Sequence, residues 1–474
     1  MPAILTTSAH HTGADAGAQS GQSSQSSQVR AAVRIVQKLL GSFPGAVALK
    51  LWNGASYAVG QTAPLFTLVV RDPAVLRRLV FSKRNPIPLA DAYFRGLLDV
   101  EGDFYAALGL KTHFQKLSLT TRERATLVLD ALHLPKLVRP SEINKINKLT
   151  KVNQPSTTNF THHHTKRSDS AAISFHYDVS NAFYKLWLDE QMVYSCAYFE
   201  TPGDTLEQAQ RNKLDHICRK LRLQPGERFL DIGCGWGAMA CWAAQHYGVK
   251  AHGITLSQKQ FDYATERVAR LGLEKQVTIE MRDYRDLEGE AVYDKISSIG
   301  MFEHVGLANL PVYNATVMRV LRPGGLFLNH GITHDEEGWH PTVDTEFINR
   351  YVFPDGELDT VGNIMRGMEH AHFEIHDVEN LRAHYALTLR EWVKRLEARH
   401  EEALQFVSED AYRVWRFYMA ACAIEFEAEG TGIYQILASR RGAGTLPVPL
   451  SRRDLYDKPM PKTTNMAKMT KTAI

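Results

Sequence analysis

The chain has 474 residues, 44% of them hydrophobic and 23% charged, with a formal net charge of +3 at pH 7. That length exceeds what one hydrophobic core usually fills, so two domains are expected, and the net charge is too small to argue for nucleic acid as a partner. The cysteines, Cys196, Cys218, Cys234, Cys241 and Cys422, form no C-x-x-C pair and no zinc-like spacing, which points to free thiols in a reducing, cytoplasmic setting.

Residues 1–30 are dominated by Ser, Gln, Ala, Gly, Thr and His and are expected to be disordered. A short helical pattern starts at Val33 and runs to Leu40. VALKLWNGASYAVG then alternates around Asn53-Gly54, a hairpin signal. PLFTLVVRDPAVLRRLVF reads as a strand, a turn at Asp72-Pro73 and a helix, so residues 31–135 are expected to form a small α+β domain.

Residues 136–169 read as a basic, polar linker, with Lys136, Arg139, Lys145, Lys148, Lys151, Lys166 and Arg167 set against Glu142. Such a run is either a solvated connector or a patch attracted to anionic head groups. His162, His163 and His164 sit in that polar run and are assigned no metal site, because adjacent histidines point in different directions. No uninterrupted run of about 18 apolar residues occurs, so no bilayer-spanning helix is expected; nor is a secretory signal.

From 170 to 450 the pattern changes. RFLDIGC, VKAHGIT, VTIEMRD, DKISSIG and GGLFLNH are short apolar runs alternating with helical or loop segments, the signature of a parallel sheet covered on both faces. Residues 451–474 are basic and polar and are expected to be loose.

The first of these runs enters a loop with Gly233, Gly235 and Gly237 and then an Ala-rich helix. A dinucleotide site places an acid about 20 residues further on, but the positions reached are Thr255, Leu256 and Ser257, with Gln260 just beyond. Asp231, directly before the glycines, is awkward for a pyrophosphate and useful for a cationic ligand. S-adenosylmethionine (SAM) fits better, because it has no phosphate and carries an ammonium and a sulfonium, and its carboxylate suits a helix N-terminus. Asp283 and Tyr284, after the third run, are placed to meet its adenine.

Two further stretches narrow the chemistry. HYDVSNAFYKLWLDEQMVYSCAYFE, residues 176–200, is dense in aromatics, and MFEHVG, residues 301–306, follows the fourth strand, where a crevice lies in an open α/β sheet. HYDVSNAFY, MVYSCAYFE, LDIGCGWG, GITLSQKQ, GMFEHVG and HYALTL, in this order, resemble the cyclopropane-fatty-acyl-phospholipid synthase family and the related mycolic acid cyclopropane synthases. The resemblance covers roughly residues 170–445, with weaker similarity over 35–135 to the family's N-terminal lipid-binding domain. It implies a SAM-dependent methyltransferase with a Rossmann-like α/β sheet and a smaller α+β lipid-binding domain.

The implied reaction adds a methylene from SAM across a cis double bond of a phospholipid acyl chain. The intermediate is a carbocation, which aromatic walls would stabilise and a dry pocket would protect. Tyr177, Tyr194 and Ser195 are the implied contacts with SAM. Bound bicarbonate is the implied base, held by Cys196, Glu303, His330, Ile332 and Tyr385, with Cys196 and Ile332 contributing mainly backbone groups. Cys422 in MAACAIEF is a weaker catalytic candidate, since no thiol nucleophile is required. The expected partners are unsaturated phospholipid acyl chains at the inner membrane surface, with a homodimer among the allowed assemblies and no nucleic acid. The alternatives are a relative that leaves a methyl or methylene branch, a methyltransferase of small polar metabolites, and a lipid-binding protein without catalysis.

Overall fold

The computed structural model describes residues 19–60, 62–82, 87–136, 165–166, 180–340, 356–442, 444 and 447–456. These divide into two units. One takes 19–136 together with Val407–Ala421; the other takes 165–340, 356–406 and 422–456. The division is not contiguous in sequence, because Val407–Ala421 fall outside the 170–450 stretch's own unit.

In the first unit the elements run α1 (Gln19–Leu40), β1 (Val47–Leu51), β2 (Ser56–Val59), β3 (Phe66–Val70), α2 (Ala74–Phe81), α3 (Ile87–Phe94), β4 (Leu98–Gly102), α4 (Phe104–Leu108), α5 (Leu110–Lys116) and α6 (Thr121–Leu132). The sheet order is β2-β1-β3-β4. The Asn53-Gly54 hairpin forms, with Gly54 at φ 82° and the Asn53 carboxamide oxygen accepting the Ala55 N–H at 3.2 Å.

Residues 19–30, expected to be disordered, are helical instead. Ala31, Ala32, Ile35, Val36, Leu39 and Leu40 are buried at helical spacing, and Arg34 bonds Asp130 of α6 at 2.7 Å. Once that face is anchored, each further residue adds a hydrogen bond without a new nucleation cost, so the Ser/Gln run continues the helix. Residues 1–18 lie outside the described residues, as do nearly all of the basic linker and His162–His164.

Val407–Ala421 join this unit through arginines. Arg413 donates to Asp99 at 3.0 Å, to Glu409 at 2.7 Å and to the Tyr93 carbonyl at 3.1 Å, while Arg416 stands 3.8 Å over the Phe104 ring. A buried guanidinium whose donors meet carboxylates and a carbonyl helps to fix this segment beside its packed Tyr412, Trp415 and Tyr418.

The second unit is built on β5 (Arg228–Ile232), β6 (Lys250–Thr255), β7 (Val277–Met281), β8 (Tyr293–Ile299), β9 (Leu321–His334), β10 (Phe373–Asn380) and β11 (Thr431–Arg440). Their order is β10-β11-β9-β8-β5-β6-β7. The five apolar runs are β5 to β9, all parallel, as the sequence predicts. The antiparallel β10 and β11 were not among the expected strands: β10 is an edge strand with polar residues on much of its length, and its alternation is weak.

Helices α7 (Asn181–Tyr184), α8 (Leu206–Lys220), α9 (Ala238–Tyr247), α10 (Gln258–Arg270), α11 (Leu310–Val320), α12 (Val361–His370) and α13 (Arg382–Ala398) complete the unit, with a short α14 (His400–Ala403). Phe229, Leu326 and Leu328 face α8 and α9, whereas Leu230, Ile232 and Phe327 face α11 and α12. Both sheet faces are therefore buried, as a parallel sheet requires. Helix α15 (Glu409–Glu427) begins in the first unit and ends in the second. Residues 451–456, expected to be loose, carry α16 (Arg453–Tyr456), whose Leu455 is buried and whose Asp454 pairs with Arg222 at 3.1 Å.

Candidate active site

Strand order reverses between β5 and β8, with β6 and β7 to one side and β9 to the other. A crevice opens at the carboxyl ends of the strands at such a point. Here it is a cleft with about 940 Å³ of open space, lined by the glycine loop after β5, by Thr255, Leu256 and Gln260 after β6, and by Gly300, Met301 and His304 after β8.

The glycines have separate reasons. Gly237 caps α9 in the left-handed region at φ 80°, and a Cβ there would stand 3.0 Å from the Ala264 Cβ of α10. Gly235, at φ 53°, would direct a Cβ toward nothing within 4 Å, into the space of the cleft it lines. The first glycine lets helix and loop pack; the second keeps the backbone bare where a ligand would lie.

Asp231 reaches the cleft from the end of β5. It is buried, accepts the Ser297 hydroxyl at 2.7 Å, and is pushed up to about 6 mainly by desolvation. Its charged form therefore gains from a cation beside it. Thr255 donates its hydroxyl to the Gln260 carboxamide oxygen at 2.8 Å, and Ser257 caps α10 by accepting the Gln260 N–H at 3.3 Å. Thr255, Leu256 and Gln260 line the cleft, whereas Ser257 and Gly237, expected to contact the cofactor, are not in its lining. Asp283 does not line it: its carboxylate is taken by Arg285 at 2.6 and 2.8 Å, and Arg282 and Tyr284 on either side face the cleft instead. Asp283, expected to meet the adenine, is thus held by a guanidinium two residues on and is outside the cleft lining.

Tyr194 and Ser195 line the opposite wall. Tyr194 sits among Tyr184, Trp187 and Trp392 with ring centroids 5.2 to 5.7 Å apart. Phe183, Tyr184 and Trp187 are wholly buried, and Tyr198 stacks on His216 and His384 away from the cleft. Most of the aromatics in residues 176–200 are therefore packing, and Tyr177 lies outside the described residues.

Lys213 was not foreseen. Its ammonium lines the cleft, is 1% exposed, and donates to the Ser195 hydroxyl at 3.1 Å. Desolvation pulls it down to about 8 against the opposing influence of Asp189, Cys196 and Asp231. A lysine in phase with Leu206, Gln210 and Ile217 on α8's buried face was the available signal, since lysine is almost never buried without a partner. Trp236, another unforeseen lining residue, donates its indole N–H to Asn181 at 2.9 Å.

The residues assigned to the base gather beside this cleft. Glu303, on a turn after β8, accepts the Ile332 N–H at 2.8 Å, and burial pushes its carboxyl up to about 7. His330 is on β9, two residues before Ile332, and its carbonyl accepts the Gly300 N–H at 2.8 Å. Its ring is wholly buried and held well below the usual histidine range, first by desolvation and then by the ammonium groups of Lys213 and Lys220. The Leu381 carbonyl receives the Tyr385 N–H at 3.0 Å and the Cys196 thiol at 3.8 Å, and the Leu381 N–H bonds Ile433, the cross-strand partner of Ile332. Burial pushes the Cys196 thiol far up, so it is no thiolate. Cys422, half-buried on α15, does not line the cleft.

A Rossmann-like sheet whose switch-point cleft has bare glycine backbone, a buried carboxylate and no ribose-binding acid at the dinucleotide position is that of a SAM-dependent methyltransferase. The chain belongs to the mycolic acid cyclopropane synthetase family, whose model matches residues 164–436. It is 40% identical over 411 residues to a "Probable fatty acid methyltransferase" of Pseudomonas putida, spanning 86% of this chain and 95% of the relative. It is 43% identical over 265 residues to a cyclopropane-fatty-acyl-phospholipid synthase of Escherichia coli, covering 56% and 66% of the two chains. Among solved structures it is similar to the cyclopropane synthase MmaA2 from Mycobacterium tuberculosis, with a TM-score of 0.54 and 31% identity over 57% of this chain and 98% of the other. The mycolic acid cyclopropane synthase CmaA1 complexed with SAH and CTAB matches equally, with a TM-score of 0.54 and 32% identity.

Proposed function

We propose that this enzyme transfers a methylene from SAM to a cis double bond of an unsaturated phospholipid acyl chain, through a carbocation deprotonated by bound bicarbonate. The observation that carries the reading is a set of buried polar atoms with no hydrogen-bond partner among the described residues: the second carboxyl oxygen of Glu303 and both ring nitrogens of His330. Leaving such groups unpaired costs about 1–3 kcal/mol each, and a small ion that both donates and accepts would satisfy the Glu303 oxygen and one ring nitrogen of His330.

SAM, when bound, supplies an electrophilic methyl on a sulfonium. Gly233, Gly235, Asp231, Thr255, Leu256, Gln260, Tyr194, Ser195 and Tyr284 would hold it in the cleft, with Lys213 as the cation able to meet its carboxylate. Bicarbonate, when bound, supplies the base. Glu303 would accept its hydroxyl, a charge-assisted bond that raises the ion's basicity, while the Ile332 N–H already fixes the Glu303 carboxylate. His330 and Tyr385 would donate to its oxygens, and the buried wall keeps out water that would otherwise quench the cation.

The first unit would meet the lipid, placing the enzyme at the inner membrane surface. Leu129 and Leu132 on α6 and Phe81 on α2 are exposed, with the Arg77 guanidinium 5.6 Å from the Phe81 ring, an arrangement suited to an interface of acyl chains and anionic head groups. Among the described residues no helix is long and apolar enough to cross a membrane.

A second reading, a methyl-branched or methylene-branched product, is favoured by the near full-length similarity to a probable fatty acid methyltransferase. The two part at the fate of the cation. Expression in a host with unsaturated phospholipids and no cyclopropanes tests both: the first reading expects acyl chains that gain the mass of one CH₂ and lose the alkene. A methylene branch, of the same mass but with an alkene kept, or a saturated methyl branch carrying two further hydrogens from a reductant of the host, would select the second reading, and unchanged lipids with folded protein would sink both.

A further inference from the structure

Strands β10, β11 and β9 place Glu379, Gln435 and His330 in a row. Gln435 is paired directly with Glu379 on one side and with His330 on the other, so all three side chains stand on one face of the sheet, neighbours about 5 Å apart at Cβ. Helix α8 covers that face, and its buried Lys213, His216 and Lys220 recur at the three- and four-residue spacing that puts them together.

One end of the row is satisfied. Glu379 accepts from His216 at 2.8 Å, from Tyr198 at 3.3 Å, and pairs with Lys220 at 2.5 Å. The other end is not. Gln435 and His330 are both 0% exposed, and among the described residues neither the amide nitrogen and oxygen of the one nor the two ring nitrogens of the other has a hydrogen-bond partner. A wholly buried carboxamide is costly unless its bonds are made in the working state of the site.

The chemistry of the pair is specific. Two ammonium groups and burial keep His330 neutral, so its ring has one N–H and one bare nitrogen, and which is which depends on its neighbours. An anion needs the N–H. The bare nitrogen then needs a donor, and the cross-strand neighbour carries a neutral NH₂.

We propose that Gln435 is a positioning residue of the anion site: with the anion bound, its carboxamide NH₂, unpartnered in this structure, donates to one ring nitrogen of His330 and turns the single imidazole N–H toward the anion. The inference rests on the bicarbonate reading above. Gln435 touches neither SAM nor the acyl chain in this arrangement; it acts through His330.

The test uses the full-length enzyme in CO₂-depleted buffer with bicarbonate added back. Gln435→Met, similar in size but without a donor, should raise the bicarbonate concentration for half-maximal turnover about tenfold, the worth of one hydrogen bond, and leave S-adenosylhomocysteine affinity by calorimetry unchanged. Gln435→Leu, which also has no donor, should likewise weaken bicarbonate activation, and it carries the comparison if the Met variant does not fold. A folded variant with the wild-type bicarbonate requirement overturns the proposal, and so does an equal loss of S-adenosylhomocysteine affinity, which would mark a general packing defect. A wild-type enzyme indifferent to bicarbonate would instead defeat the base reading itself, and this inference with it.

Discussion

One carboxyl oxygen of Glu303 accepts the backbone N–H of Ile332 at 2.8 Å, and its other oxygen, buried, has no hydrogen-bond partner among the described residues. The group is therefore oriented but unspent. Glu303→Gln keeps the shape and one acceptor yet cannot take a proton donor with the strength of a carboxylate. Turnover should fall at least about 100-fold, the usual scale for losing assistance to proton transfer, with S-adenosylhomocysteine affinity intact. Steady-state kinetics beside calorimetry separates the two, and a variant with near-normal turnover would remove Glu303 from the base.

The same side chain makes stability depend on pH. Burial raises it from 4.5 to about 7, so between those values the folded protein binds a proton that the unfolded chain has released. Stability contributed by the protonated group is full below about 4.5 and is lost as pH rises through about 7. Above that, ionised Glu303 costs the fold on the order of 3 kcal/mol. Glu303→Gln should accordingly be more stable than wild type in denaturant melts above neutrality and equal to it in mild acid. The opposite ordering would mean that Glu303 has an ion partner in solution.

Lys213→Met removes the cleft's buried ammonium while keeping its length. Dissociation constants for S-adenosylhomocysteine should rise about tenfold or more, equivalent to about 1.4 kcal/mol. Equal affinity would confine Lys213 to balancing Asp231 and Asp189.

The loop glycines should part company. Gly237→Ala forces a left-handed residue and a 3.0 Å approach to Ala264, so it should cost about 1–3 kcal/mol of stability. Gly235→Ala has the strain without the clash, and its methyl enters the cleft, so cofactor affinity should drop more than the melting temperature does. Thermal unfolding and calorimetry on both variants give the comparison.

Cys422→Ser should keep wild-type turnover, because the residue does not line the cleft and SAM brings its own leaving group. Loss of turnover in a folded variant would restore a role for that thiol.

The strands of the parallel sheet were legible because burial on both faces demands continuous apolar runs, and the glycine loop because left-handed backbone demands glycine. Nothing in sequence said that Arg285 would fold back on Asp283. Lys213 and Gln435 were hidden for another reason: one is a charge inside an apolar helix face, the other a polar residue in an edge-proximal strand, and only the three-strand pairing shows what they surround. The helical reach of α1 to Gln19 depended on partners such as Asp130, almost a hundred positions downstream, which local composition does not contain.

Helix α15 supplies Val407–Ala421 to the unit that begins at the other end of the gene. On the ribosome that unit is still missing a piece when the entire glycine-loop sheet up to β10 has already emerged. Its Arg413 and Arg416 arrive last, so Asp99, Tyr93 and Phe104 must wait through most of synthesis with their eventual partner untranslated. Folding of that unit from the amino end therefore proceeds without these contacts until residues 407–421 have been made.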